Sequence, residues 1–193
     1  MYMENPISSS GNIASNCEQF SSSDSCANTS DDTLHTLNDM WTLWAHLPHD
    51  TDWSIKSYKK ICTIDSVEQA IVVYENMPDK LVGNCMLFLM RGDIKPMWED
   101  EKNKKGGCFS YKIPNKDVLT IWKNMSYMLI GEKLTENTGL MQCINGITIS
   151  PKKHFCVVKL WLSSCEFQNP DTITDSFGLQ HTGCLFKKHV PTC

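Results

Sequence analysis

No apolar run in the chain exceeds the six residues Cys85 to Met90, and the apolar runs are bounded by proline, glycine or clusters of charge. A run of that length fits one strand of a sheet, whereas a membrane-crossing helix needs roughly 18 or more apolar residues. The pattern therefore points to a sheet-rich globular domain and speaks against a membrane span. With 193 residues, 41% of them hydrophobic, the chain has the length for one core and an appended segment, not for two cores. Its N-terminus has neither the basic stretch nor the apolar centre of a secretory signal. Ten cysteines in 193 residues fall below the roughly 8 to 10% of disulfide scaffolds. No Cys-x-x-Cys pair occurs, so they read as reduced apolar fillers, not bridges or zinc ligands.

Charge divides the chain unevenly. Residues 1–32 contain nine serines, five acidic residues and no lysine or arginine, and they show no hydrophobic period. That composition marks a disordered, acidic, serine-rich tail, and leaves residues 33–193 as the folded domain with a net charge of +1 out of the −4 total. A nearly neutral domain cannot bind a long duplex through many phosphates, so DNA is an improbable partner by composition and recognition must rest on one local pocket. Arg91 is the only arginine, which assigns any phosphate contact to lysine.

The hydrophobic pattern predicts a strand over Trp41–Leu47 that ends at Pro48, and a second over Trp53–Ile64. Asp65-Ser-Val-Glu68 has the form of a capping box, and the apolar spacing that follows predicts a helix from about Ser66 to Met77. Strands are expected at Cys85–Met90 and Cys108–Ile113, with Arg91-Gly-Asp93 as a turn between them. A longer helix is expected from Lys116 to about Lys133, with Val118, Leu119, Trp122, Met125, Met128 and Leu129 on one stripe. Strands near Gln142–Ser150 and His154–Ser163 flank a tight turn at Pro151-Lys-Lys153. Asn169-Pro-Asp171 reads as a helix start, and Cys184–Phe186 as a last short strand. The interleaving gives an α+β class with helices on one face of a mainly antiparallel sheet.

No Walker loop, nucleophile elbow, His-Glu-x-x-His or dinucleotide fingerprint occurs. What stands out is tryptophan in polar surroundings: Trp53 between Asp52 and Ser54, and Trp98 between Met97 and Glu99-Asp-Glu101. A tryptophan amid charges is ordinarily an edge residue of the core, and the other reading is a stacking platform for a planar ligand. The run Lys95-Pro-Met-Trp-Glu-Asp-Glu-Lys-Asn-Lys-Lys-Gly-Gly107 resembles the signature of the eukaryotic translation initiation factor 4E family, which binds the 7-methylguanosine cap of messenger RNA. Trp41-Thr-Leu-Trp44, Trp53, Ser66-Val-Glu68, Leu129-Ile-Gly-Glu132 and Trp161 follow in the family's order. The resemblance covers roughly Leu34 to Ser163.

The resemblance implies a cup: a curved antiparallel sheet of about eight strands, about three helices on its convex side, and the cap in its concave mouth. It implies that Trp53 and Trp98 sandwich the methylated base, with Met97 beside Trp98. Glu99 would accept the base's N1–H and N2–H₂ donors, and Trp161 would line the methyl group. N7 methylation makes guanine cationic, so the sandwich gains cation–π attraction that unmethylated guanine lacks. On the phosphate side Lys152 falls where the family usually has an arginine, Val157 where it often has a lysine, and Cys108 where it usually has an arginine. Lys153 and Lys159 are neighbours that could compensate, with a solvated face the ordinary reading of Lys159.

The family also docks a scaffold peptide on its helical face. Here the matching positions are His35, Val67, Ile71, Lys123, Asn124, Tyr127 and Gly131, with Ile71 for a typical tryptophan and Lys123 and Asn124 for a leucine and a glutamate. These exchanges favour an altered partner sequence or no scaffold. The expected function is binding of capped messenger RNA to support translation initiation through a scaffold or a 4E-binding protein, as a cytoplasmic or nuclear monomer with no cofactor and no metal. The alternative is a cap-binding repressor or storage factor. An interaction module with a decayed cap site is opposed by the retained Trp53, Trp98 and Glu99. A cap-processing hydrolase would need more carboxylates than Glu99-Asp-Glu101 supplies.

Overall fold

The computed structural model describes residues 34–174, 179 and 183–189. The acidic tail, and the expectation that it is disordered, lie outside the described residues. Among them are seven strands: β1 (Thr36–His46), β2 (Tyr58–Ser66), β3 (Met86–Arg91), β4 (Gly107–Ile113), β5 (Ile144–Pro151), β6 (Cys156–Leu162) and β7 (Leu185–Lys188). They form one sheet in the order β2-β1-β3-β5-β6-β4-β7, with every pairing antiparallel. Four helices accompany it: α1 (Val67–Glu75), α2 (Asp79–Asn84), α3 (Val118–Ile130) and α4 (Thr138–Cys143). The α+β class is as the sequence implied, with seven strands described where about eight were expected. No helix here is long and apolar enough to cross a membrane.

The two-residue period of each strand divides its side chains between two faces. Trp41, Leu43 and Ala45 of β1, Leu87 and Leu89 of β3, Phe109 and Tyr111 of β4, Ile147 and Ile149 of β5, and Val158 and Leu160 of β6 join the main core under the helices. From α3 that core receives Val118, Ile121, Trp122, Met125 and Leu129, most of the stripe read from the sequence. Leu119, expected on the same stripe, is instead exposed. On the opposite, open face a smaller cluster of Phe88, Met90, Ile94 and Trp161 packs with Trp44, Tyr58 and Met86.

Element boundaries shift for identifiable reasons. β1 starts at Thr36, five residues before the expected Trp41, because Thr36 pairs with Ser66 and the Val67 amide donates to the His35 carbonyl at 2.9 Å. Trp53 is not in a strand. The Asp52 carboxylate takes the Ser54 amide and hydroxyl, each at 2.8 Å, and this side-chain-driven turn leads into a single 3₁₀ turn at Ile55–Ser57 before β2 begins. The helix cap falls one residue later than read. Ser66 accepts the Gln69 amide at 3.3 Å, Gln69 in turn takes the Asp65 amide at 3.0 Å, and Glu68 turns aside to His35. The long helix begins at Val118 after a 3₁₀ turn at Asn115–Asp117, and α2 and α4 arise where no helix was expected. Asn169-Pro-Asp171 does open a helical segment, a single 3₁₀ turn in which Asn169 caps the Asp171 amide at 3.0 Å.

Two glycines test this architecture in opposite directions. A Cβ on Gly106 would lie 1.7 Å from the Leu162 carbonyl oxygen, whereas one on Gly83, in α2, meets nothing within 4 Å. Gly106→Ala should cost about 2 kcal/mol or more by forcing β4 off β6, a fall in melting temperature of roughly 4–8 °C. Gly83→Ala should raise stability by about 0.5–1 kcal/mol. Thermal unfolding of the two variants beside the parent checks both signs.

Candidate functional site

The open face is laid out in cross-strand rows. His46 faces Met86 across β1 and β3, and Ser150, Val157 and Lys112 face one another in turn across β5, β6 and β4. The next row runs Trp44, Phe88, Thr148, Lys159, Ser110, and the one after it Thr42, Met90, Gly146, Trp161, Cys108. Aromatic and thioether groups thus fill the β1–β3 half, and lysines stand on the β6–β4 half. Trp161 bridges the halves at 7% exposure, its indole N–H donating to the Thr148 hydroxyl at 2.8 Å. It is a core-edge residue of the open-face cluster.

Trp53 stands over the β1 end, 54% exposed, with one face stacked on His46 at 4.2 Å between ring centroids and 5° between planes. His46 is buried, with Nδ1 and Nε2 lying 3.1 and 2.9 Å from the Leu47 and Asp52 carbonyl oxygens. The imidazole therefore fixes both the ring position of Trp53 and the loop that carries it. From His46 an edge contact leads to Tyr58 at 5.1 Å and another to Phe88 at 5.4 Å. Lys152 lines a cavity of about 160 Å³ that Trp53, His46, Asp50 and Met86 also border. Lys153 is exposed; its recorded contact is through the backbone carbonyl, 3.4 Å from the Asn115 amide nitrogen.

Trp98 is 49% exposed, at the tip of the loop between β3 and β4. Gly92, at φ 58°, makes the turn out of β3 and Ile94 anchors it in the open-face cluster. The loop then closes around Asn103, which is fully buried. Its carboxamide N–H₂ donates to the Lys95 and Met97 carbonyls at 3.0 and 2.8 Å, and its oxygen accepts from Asn145 at 2.9 Å. Asn145 in turn donates to the Lys102 carbonyl at 2.8 Å. The Asp100 carboxylate takes the Lys95 and Lys102 amides. Met97 is half-buried and serves the loop through its carbonyl. Glu99 is exposed, and close enough to Tyr58 that its charge, after burial, helps push that phenol up to about 12.

His189 closes the far side. Its Nδ1 donates to the Asn103 carbonyl at 2.7 Å, its ring lies 4.8 Å from Trp161, and its buried Nε2 has no partner among the described residues. Burial first, and the neighbouring Lys159 charge, hold its pKa below the ordinary imidazole range against the opposing Asn103 bond. Lys159 is half-buried on the open face, between Ser110 and Thr148, and so is not the plain solvated residue that its turn-proximal position suggested. Among the described residues no group of three or more His, Cys, Asp or Glu side chains could hold a metal ion.

On the helix-covered side, Val67 and Ile71 of α1 are exposed in one row, 41% and 48%. His35 lies beside them, its Nδ1 2.7 Å from Glu68. Across from them Lys123 of α3 pairs with Glu75 at 2.6 Å, and half-buried Tyr127 packs on Tyr74 at 5.3 Å. Asn124 and Gly131 are exposed, the latter closing α3 through the Tyr127 carbonyl at 2.8 Å. The structure thus gathers Val67 and Ile71 of α1 and Lys123 and Tyr127 of α3 on adjoining helices, with His35, just before β1, held beside them by Glu68. His46, Asn103, Tyr58 and His189 were not singled out from the sequence. His46 alone had a legible signal, two residues past Trp44 and so on the same strand face.

A family model for eukaryotic initiation factor 4E matches residues 36–187. Eukaryotic translation initiation factor 4E of Saccharomyces cerevisiae is 31% identical over 140 residues, 69% of this chain and 64% of the relative. The human protein of that name is 25% identical over 179 residues, 90% of this chain and 77% of the relative. The chain thus spans slightly under two thirds of the yeast relative's length. Among solved structures, that of Ascaris suum eIF4E-3 with m7G cap aligns at a TM-score of 0.62 and 26% identity, over 69% of this chain and 76% of that one.

Two outcomes follow from the Asn103 hub. Asn103→Ala should orphan the Lys95 and Met97 carbonyls and the Asn145 amide, costing about 1–3 kcal/mol. It should also red-shift Trp98 emission as the loop opens, and thermal melts with fluorescence spectra check both. The second concerns acid. Because the fold keeps His189 neutral, the unfolded chain takes up a proton near pH 6.5 that the folded chain refuses. The stabilisation from neutral His189 is complete above that value and lost as pH falls through the lower folded value. Melting temperature should drop between pH 7 and pH 5, and His189→Gln should flatten the drop.

Proposed function

The chain belongs to the eukaryotic initiation factor 4E family, and we propose that it binds the 7-methylguanosine cap of messenger RNA on its open face and supports translation initiation. The observation that carries this reading is the pair of half-exposed indoles, Trp53 and Trp98, on two loops that are each braced from beneath. A soluble domain exposes indole at a cost unless a partner covers it, and a base slotted between two platforms removes both from water at once. The 7-methylguanine ring carries positive charge, so each indole face adds cation–π attraction of about 0.5–2 kcal/mol to the stacking. The Ascaris suum relative, whose structure includes m7G cap, supports the same use of the fold.

Discrimination against adenine falls to Glu99. Its carboxylate is exposed and acceptor-only, matched to the paired N1–H and N2–H₂ donors of guanine, while adenine would present an acceptor at its N1 position. Trp161 supplies the floor at the base's methyl edge, and Lys152, on the Trp53 cavity, the nearest charge for the phosphates. No bond is made or broken by these groups, so the role is binding, not catalysis. The messenger would pass to a scaffold or 4E-binding protein held on α1 and α3 through Val67, Ile71 and Tyr127. Lys123 and Asn124 on that face favour a partner helix that offers acidic or neutral groups beside its apolar anchors. The cytoplasm is where such a handover takes place.

Tryptophan fluorescence should be strongly quenched by 7-methyl-GTP and weakly by GTP. Trp98→Ala should cost about 1–3 kcal/mol of cap affinity. Glu99→Gln should weaken binding at least several-fold, since it turns one acceptor into a donor facing the base. Equal quenching by the two nucleotides, or unchanged affinity in both variants, would refute the cap-site assignment. Capture on a cap resin from a eukaryotic lysate should co-purify a scaffold that Ile71→Asp releases while the protein itself remains bound.

A further inference from the structure

We propose that His46 sets the base selectivity of the cap slot: as an imidazolium beneath Trp53 it opposes a cationic base on the other face of the same indole, so that binding of 7-methylguanine is coupled to release of a proton from this ring. The inference rests on the cap reading above. His46 acts through Trp53, as a positioning residue that does not itself touch the base. It is 1% exposed, and each ring nitrogen has a carbonyl oxygen in front of it, that of Leu47 at 3.1 Å from Nδ1 and that of Asp52 at 2.9 Å from Nε2. A neutral imidazole carries one N–H, so one of those oxygens would face a lone pair, whereas the imidazolium donates to both. The ring also lies flat beneath Trp53, 4.2 Å between centroids and 5° between planes, within the range at which an indole face attracts a cation.

Burial opposes a charge at this position. Against burial stand the two carbonyl acceptors, the indole face and the Asp52 carboxylate, which the Ser54 amide and hydroxyl first, and the His46 charge after them, hold below the usual carboxylate range. Asp50 and Lys152, of opposite sign, border the cavity beside the ring. From β2 the ring meets the edge of Tyr58 at 5.1 Å, and Lys60, the next lysine on that side, is exposed opposite Trp44. β3, α2 and β5 present the uncharged Met86, Asn84 and Ser150. When 7-methylguanine stacks on the exposed face of Trp53, two cations share one indole, one ring-stacking step either side of it and roughly 8 Å apart, close enough to repel in a partly buried site. Unmethylated guanine is neutral and meets no such repulsion. A proton on His46 therefore weakens binding of the methylated base alone, and by reciprocity the methylated base weakens the hold of His46 on its proton. Selectivity for the methyl group falls in acid and rises as the imidazolium is lost.

The test has two arms. In the first, histidine side-chain nitrogen spectra are recorded on the parent chain, with the His46 signals identified by their loss in His46→Phe. In the free protein at about pH 5.5 both His46 ring nitrogens should be protonated, and 7-methyl-GTP, but not GTP, should move the ring toward its neutral form. In the second, tryptophan quenching by 7-methyl-GTP and by GTP is measured over about pH 5.5 to 7, where imidazole changes charge and 7-methylguanine still keeps its own N1 proton. Phosphate ionisation is common to the two nucleotides and cancels in the ratio of their affinities. That ratio should rise about three- to tenfold with pH in the parent. In His46→Phe and His46→Gln it should stay flat, and at the acid end it should exceed the parent's. A parent ratio well above one that does not change with pH, a slope that persists in both His46 variants, or a free-protein ring with a single proton at the acid end would overturn the proton coupling while leaving cap binding in place. A ratio of one at every pH, or no response to either nucleotide, would instead overturn the cap reading, and the coupling with it.

Discussion

The buried carboxamide of Asn103 is the contact on which the rest of the open face depends. The loop between β3 and β4 must expose Trp98 and Glu99 while its own backbone crosses the end of the sheet away from water. Backbone carbonyls buried without donors cost as much as lost hydrogen bonds, and Asn103 supplies two of those donors, to Lys95 and Met97. Its oxygen is held by Asn145 on β5, and its own carbonyl by His189 beyond β7. One residue therefore ties the loop to the sheet from two directions, by its carboxamide and by its backbone carbonyl. Through the Met97 carbonyl, Asn103 fixes the backbone next to Trp98. Trp53 is braced by a different device, the His46 ring beneath it, so the two platforms are set independently from opposite ends of the sheet.

That arrangement gives the open face a direction. The acidic groups Asp50, Asp52, Glu99 and Asp100 all lie on loops beside the two exposed indoles, the side that the proposed function assigns to a cationic base with N–H donors. Strands β4, β6 and β7 carry lysine, and none of β4 to β7 carries an acid. The proposed ligand, a capped messenger, has the complementary polarity, positive at its methylated base and negative from the first phosphate onward. Complementary potentials of this kind set register and suppress binding in reverse more than they add raw affinity. The single arginine, Arg91, plays no part in it. It is spent inside the fold, ion-paired to Asp39, donating to the Ile144 and Met141 carbonyls at 3.0 and 3.1 Å, and stacked over Trp41 at 4.8 Å.

The fold class and the strand-and-helix order were legible because they follow from periodicity, which the core enforces over many residues. Strand ends were less so. β1 gains Thr36 to Met40 from pairing with β2 and a turn bond at Gly92, contacts between segments that sequence pattern does not register. Trp53 read as strand because aromatic residues favour sheets, yet local Asp52–Ser54 bonds outcompete pairing there. The helices α2 and α4 have six residues each, too short to display a period. Site residues divide the same way. Trp53 and Trp98 stand out as exceptions to their surroundings, whereas Glu99, the first of three consecutive acids, is singled out only by the family resemblance. Asn103 does not: in Lys102-Asn-Lys-Lys105 it reads as part of a solvated run, and only the closed loop reveals that it alone points inward.

The two faces of the molecule are not independent, because every strand contributes to both. Along β1, Trp44 and His46 support the open face while Trp41, Leu43 and Ala45 fill the core beneath the helices. A one-residue slip of β1 would exchange these sets and destroy both surfaces at once. The slip is opposed at each end: by the His35–Val67 and His35–Glu68 bonds at the start of α1, and by the His46 contacts with Leu47 and Asp52 at the other. His35 lies on the helical side and His46 beneath Trp53. The same strand register that places the His46 support of Trp53 therefore also fixes where Val67 and Ile71 stand on the helical face. This is a physical reason why the open face and the helical face cannot shift independently of the core between them.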